Sequence, residues 1–209
     1  MRPGVIVGVL SLVAFAALGV VVRDDPSGLD TWLGTALHGD WRGPAGGVAE
    51  VVSAILGPVI PVLFALGLVV AAVAAWRRGD RQRATLMLRV LVLLGLCRAT
   101  SWLAKPLFER ERPRVYPDFA YPSGHVVSVA SAGFAAVVLC AWLAPHLVRT
   151  MTWIVAAATV VCAASRVVLD VHWLTDTVGA VLAVTGVGLL AGAALRLLPA
   201  QRPGVASST

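Results

Sequence analysis

The chain has 209 residues, 58% of them hydrophobic and only 13% charged, with a mean hydropathy of +0.85. A soluble domain carries about 25% charged residues, so the apolar surplus excludes an ordinary soluble fold and calls for lipid as solvent. The formal net charge of +6 comes without any basic tract interleaved with aromatics. It fits cytoplasmic loops and anionic headgroups and argues against a nucleic-acid partner.

Arg2 and an apolar run to Val22 open the sequence. The run is longer than a signal-peptide core, and no small-x-small cleavage site precedes Arg23, so it reads as a retained transmembrane helix. In segment 27–38, Ser27 and Asp30 fit a helix-start capping box, and Leu29, Trp32, Leu33, Ala36 and Leu37 fall on one helical face. This predicts a short amphipathic helix in the outer interface, with an ordered loop as the other reading. Further spans are expected near 52–76, 84–104, 125–148, 150–168 and 174–195, giving with the first (4–22) an all-α integral membrane protein of six transmembrane helices. Pro58 and Pro61 predict a kink in the second. Cys97, Cys140 and Cys162 lie in apolar runs and read as small buried hydrophobes. Residues 1–198 form one membrane domain in this reading, and 199–209 a disordered cytoplasmic tail.

Orientation follows from basic residues in short loops. With the N-terminus inside, Arg2, Arg77, Arg78, Arg81, Arg83, Arg149, Arg196 and Arg202 are cytoplasmic. Asp24, Asp25, Asp30, Asp40 and segment 105–124 are then outside. That segment is itself basic, which requires another explanation.

Charge is costly at membrane depth, so its clustering is informative. One cluster runs from Lys105 through Arg112-Pro113 to Pro122-Ser123-Gly124-His125, and another from Ser165-Arg166 to His172 and Asp176. The six-helix topology puts both on one side of the membrane. Lys105, Arg112 and Arg166 supply fixed positive charge suited to phosphate oxygens. Ser123 and Gly124 open a helix, whose free N–H groups and dipole favour an anion. His172 and Asp176, four apart, share a helix face; the carboxylate fixes one imidazole nitrogen and leaves the other free to attack. His125 is placed to protonate a departing oxygen. No metal or cofactor is called for in this scheme.

Lys-x6-Arg-Pro, Pro-Ser-Gly-His and Ser-Arg-x5-His-x3-Asp together resemble the type 2 phosphatidic acid phosphatase superfamily, which includes bacterial lipid phosphate phosphatases and relatives of vanadium haloperoxidases. The motifs span 105–176 and every signature position is filled. The resemblance implies that His172 forms a phosphohistidine that water hydrolyses, and that His125 protonates the leaving oxygen. It implies that Lys105, Arg112, Ser123, Gly124 and Arg166 hold the phosphate. The expected partner is a phosphorylated lipid (a polyprenyl diphosphate, phosphatidylglycerol phosphate or phosphatidic acid) in a bacterial inner membrane, with the site facing outward. A lipid phosphotransferase of the same fold, or a non-catalytic lipid-phosphate-binding or transport protein, are the rival readings, and a third, an oxidative vanadate-binding enzyme, is opposed by the six apolar spans.

Other polar residues invite plainer expectations. Arg110 and Arg114 read as solvated loop charges, and His38 and His146 as interfacial. Ser165 is either a packing residue or part of the site. Arg89 snorkels to the inner surface. Arg98, within the third span, is expected to support the floor of the site through a buried ion pair with Glu50 or Asp170.

Overall fold

The computed structural model describes residues 3–37 and 39–198. Arg2, His38, Arg202 and the whole of the expected tail, 199–209, lie outside the described residues. Within them, α1 (Pro3–Val21) is followed by α2 (Gly28–Ala36) and α3 (Pro44–Ala54). α3 continues through one wide, π-type turn over Ile55–Val59 into α4 (Ile60–Arg77). Then come α5 (Arg81–Phe108), α6 (Gly124–Leu143), α7 (Val148–Val168) and α8 (Leu174–Ala194). Six spans are long and apolar enough to cross a membrane: α1, α3–α4, α5, α6, α7 with the short turn before it, and α8. The protein is an all-helical, multi-pass membrane protein.

The second span differs from its expected bounds. It begins at Pro44 rather than near residue 52 and runs 34 residues to Arg77. Pro44 occupies a first-turn position, where a missing N–H costs nothing and a fixed φ favours helix. At 1.5 Å per residue the span is about 51 Å long, well beyond a hydrocarbon core of about 30 Å. The expected kink takes the form of the wide turn, which contains Pro58; proline supplies no N–H to a regular ladder, and the turn absorbs the gap. Pro61 lies in the first turn of α4, where it is tolerated.

α2 is the amphipathic helix that segment 27–38 suggests. Ser27 Oγ accepts the Asp30 N–H at 3.2 Å, and the Asp30 carboxylate accepts the Ser27 N–H at 3.1 Å. Leu29 and Trp32 are exposed on its outer side. α5 starts on Asp80, whose carboxylate accepts the Arg83 N–H at 2.9 Å, and stops at Glu109, which takes the left-handed conformation at φ 48°.

α6 is the central helix, packed against α5, α7 and α8, while α1 lies on α8, α4 on α5 and α3 on α7. Its buried face, including Val126, Val127 and Ala135, joins Val90, Leu93 and Cys97 of α5 and Ala180 and Val184 of α8 in the main core. Cys97 and Cys162 are buried and Cys140 partly so, all as free thiols. In lipid no hydrophobic force drives apolar faces together, so close packing of small residues must do so. At Gly186 on α8 a side chain would collide with Leu12 and the Gly8 backbone of α1. Large apolar residues such as Leu63, Leu103 and Trp153 point outward.

Helix direction sorts the polar ends of the bundle. The C-terminal ends of α5 and α7 and the N-terminal ends of α6 and α8 lie at one end. Arg77, Arg81, Arg149 and Arg196 belong to the opposite helix ends.

Candidate active site

The turn between α7 and α8 sets the geometry. Asp170 takes the left-handed conformation at φ 55°, which lets the chain reverse within five residues and presents His172 just before α8. Aspartate tolerates this region better than most residues. Asp176, in the first turn of α8, accepts the Trp173 N–H at 2.9 Å with the same Oδ2 that lies 3.2 Å from His172 Nδ1. One carboxylate oxygen thus starts the helix and orients the imidazole. Because the carboxylate can only accept, Nδ1 carries the hydrogen and Nε2 keeps its lone pair.

That lone pair faces Arg112, whose Nη1 is 3.1 Å from Nε2 and also donates to the Val171 carbonyl at 2.7 Å. His172 is buried, and burial together with the nearby charges of Arg112, Arg166 and Lys105 holds its pKa well below the ordinary histidine value. The ring is therefore neutral at physiological pH.

The four cations of the site line one cavity of about 490 Å³ together with His125, His172 and Gly124. Lys105 Nζ donates to Asp118 at 2.5 Å and to the Phe119 carbonyl at 2.8 Å. Arg112 holds the same segment, with Nε to the Asp118 carbonyl at 2.6 Å and Nη2 3.4 Å from the Asp118 carboxylate. A half-exposed carboxylate thus sits between two of the cations. Arg166, from α7, donates to Ser53 Oγ on α3 at 2.9 Å, and its Nε has no partner among the described residues. Arg98, from α5, is the fourth.

Ser123 is fully buried at the start of α6, with its Oγ unpartnered among the described residues and its N–H donating to the Asp176 carbonyl at 3.1 Å. That bond ties the start of α6 to the start of α8. His125 lies in the first turn of α6 against the wide turn of the second span, where a Cβ at Gly57 would overlap its ring. Glycine is required there for the close approach.

The sequence-selected residues Lys105, Arg112, Ser123, Gly124, His125, Arg166, His172 and Asp176 therefore converge at one end of the bundle. Three plainer expectations need correction. Arg110 is not a solvated charge: it is 2% exposed and bridges Asp176 (2.5 Å) and Asp30 of α2 (3.0 Å), with Thr175 Oγ1 at 2.7 Å. Asp30 also accepts the Thr175 N–H and hydroxyl. Burial alone would raise its pKa, but these bonds outweigh it and hold the carboxyl below the ordinary range. Arg114 is not freely solvated either; it stacks over Trp41 at 4.4 Å. Arg98 makes no ion pair with Glu50 or Asp170; it lies over the Trp102 ring at 5.2 Å, and its Nη1 is buried without a partner among the described residues. Ser165 resolves as a packing residue, bonded to the Cys162 carbonyl of its own helix at 2.7 Å.

Asp30, Arg110, Asp118 and Gly57 are the site residues that sequence reasoning passed over. Of these only Gly57, beside Pro58 in an apolar span, carried a local signal of close approach. Among the described residues no group of three or more His, Cys, Asp or Glu side chains is arranged to hold a metal ion.

The family model of the PAP2 superfamily matches residues 83–196, more than half of the chain. The chain belongs to the PAP2 superfamily. The PAP2 match begins in α5 and ends just beyond α8, so it takes in all three motifs. A comparison with curated proteins returns no match. Among solved structures, a transmembrane PAP2-type phosphatidylglycerolphosphate phosphatase from Bacillus subtilis superposes with a TM-score of 0.71 at 18% identity, covering 93% of this chain and 98% of that one. The PAP2 fold thus extends over α1–α4, which the family model leaves out.

Proposed function

We propose that this PAP2 protein is a lipid phosphatase that works through a phosphohistidine at His172. The observation that carries the reading is the His172 imidazole, oriented through Nδ1 by Asp176, with Nε2 against Arg112 at 3.1 Å in the wall of a cavity also lined by Lys105, Arg166 and His125.

In this reading the Nε2 lone pair attacks phosphorus, and the bond to the lipid oxygen breaks with its electron pair. A protonated His125 gives its proton to that oxygen. Lys105, Arg112 and Arg166, with the Ser123 hydroxyl and the N–H groups that open α6, neutralise the equatorial oxygens. Water then attacks the phosphohistidine, His125 takes its proton, and phosphate leaves. Arg166 lines the cavity and its Nε has no partner among the described residues, which supports a ligand there, since buried polar groups are rarely left unsatisfied. Asp118 occupies two of the cations until a phosphate replaces it. Fixed side-chain charge carries the stabilisation, so no step is assigned to a metal.

The substrate class is a phosphorylated lipid whose tail stays in the bilayer: a polyprenyl diphosphate, phosphatidylglycerol phosphate or phosphatidic acid. The basic helix ends opposite the site support a cytoplasmic location for that end, and hence an extracytoplasmic site in a bacterial inner membrane.

The test is phosphate release from these lipids by purified full-length protein with EDTA present. Release by the native chain that His172→Ala abolishes supports the proposal. Equal release by the variant overturns it, and a phosphorylated lipid acceptor without free phosphate would indicate a transferase.

A further inference from the structure

Arg98 is a cation whose position the phosphohistidine chemistry does not explain. It lies on α5 seven residues before Lys105, about 10 Å deeper into the bilayer by helical rise. A guanidinium at such depth is retained only against a partner or a wet cavity. It faces the cavity shared with the reacting groups, forms no ion pair, and keeps Nη1 buried and unbonded among the described residues. Trp102 covers one face of it, which fixes its plane but satisfies none of its N–H groups.

Its place relative to the two histidines is informative. Arg98 lines the same cavity as His125, together with Gly57 and Pro58 of the wide turn on which His125 packs. The cation on His172 is instead Arg112, with Nη1 3.1 Å from Nε2. Arg98 thus adds to the cavity a positive charge that is not engaged with the His172 ring.

Resting on the phosphatase reading, we propose that Arg98 forms a second anion subsite, which binds a phosphate carried on the leaving group. Two kinds of lipid present that chemistry: a diphosphate, and a phosphate monoester joined through glycerol to a phosphodiester. In the diphosphate the bond from the terminal phosphorus to the bridging oxygen breaks, Nε2 of His172 takes its place, and the electron pair stays on the oxygen. The new negative charge develops beside Arg98, and the proton of His125 completes the departing phosphate. In the glycerol-linked case Arg98 holds the phosphodiester anion while His125 protonates the alkoxide. A substrate with a single phosphate leaves Arg98 without an anion.

The experiment uses the purified full-length chain, with Arg98→Gln and Arg98→Lys, against a polyprenyl diphosphate, phosphatidylglycerol phosphate and phosphatidic acid. Losing a charge-assisted contact should lower kcat/KM about 10- to 100-fold. Arg98→Gln is expected to show that loss on one or both two-phosphate lipids and a loss at least tenfold smaller on phosphatidic acid. The lipid most affected identifies the source. Arg98→Lys should recover part of the preference and guards against a glutamine variant that fails to fold. Equal losses on all three lipids in both variants would overturn the subsite and leave Arg98 a packing residue. A second readout needs no turnover: methylenediphosphonate should raise the native Tm more than orthophosphate does, and Arg98→Gln should erase the difference. An inactive native chain that keeps this Tm difference would sink the phosphatase reading alone. No Tm difference in the native chain would sink the subsite.

Discussion

At the residue scale, the histidine–aspartate pair is set inside a larger buried ion network. Asp176 faces His172 with one oxygen and Arg110 with the other, and Arg110 reaches on to Asp30. Removing one member of a buried ion pair costs about 3–5 kcal/mol, because the remaining charge stays desolvated. Arg110→Ala leaves two carboxylates uncompensated, so a Tm loss and a drop in kcat are expected in thermal unfolding and turnover assays. Arg110→Lys should recover little, since a single ammonium cannot fork between Asp30 and Asp176. His172 gives a pH prediction. Its folded-state pKa lies below the unfolded histidine value of about 6.5, so between the two the unfolded chain binds a proton that the folded chain does not. This histidine's contribution is therefore fully present above the unfolded value and declines as pH falls toward the folded one. The acid limb of kcat/KM governed by His172 should likewise lie below about 6.5. Arg112→Gln, which removes the leading cation, should move that limb upward in a pH–rate series.

At the element scale, two backbone features aim the two histidines of the proposed mechanism. The wide turn in the second span brings Gly57 against His125, so Gly57→Val should displace the imidazole and lower kcat, measured as phosphate release, more than it lowers Tm. The left-handed Asp170 makes the α7–α8 reversal; Asp170→Gly should be tolerated, whereas Asp170→Val should lose about 1–3 kcal/mol of stability in unfolding experiments. Much of this architecture is legible in sequence, because an apolar run of about 20 residues has few alternatives to a spanning helix. The Ser27–Asp30 cap is legible for the same local reason: both partners lie within one turn. The second role of Asp30 is not, since its partner Arg110 is 80 residues away. Arg110 itself alternates with Glu109, Glu111 and Arg112, a pattern typical of a solvated loop. Asp118 is not legible either, because an acidic residue in a basic loop has the pattern of a solvated charge, and only the folded loop brings it onto Lys105 and Arg112.

At the scale of the whole molecule, polarity along the bundle axis is the dominant feature. The proposed site gathers at one end, and Arg77, Arg81, Arg149 and Arg196 belong to the other. A single cysteine introduced at Glu111 should react with a membrane-impermeant maleimide on intact cells, whereas one at Arg78 should not; the reverse pattern would invert the orientation. The bundle also stands between two supplies of phosphate, one dissolved in water and one confined to the membrane plane. Asp118 bears on that division. As a tethered carboxylate on Lys105 and Arg112 it competes at an effective concentration on the order of millimolar or higher. A dissolved ion must outcompete it by bulk concentration alone, whereas a lipid arrives already concentrated in two dimensions and keeps its tail's binding energy. On the proposed phosphatase reading the internal carboxylate filters against released phosphate, and Asp118→Asn is expected to be inhibited by orthophosphate at lower concentrations than the native chain.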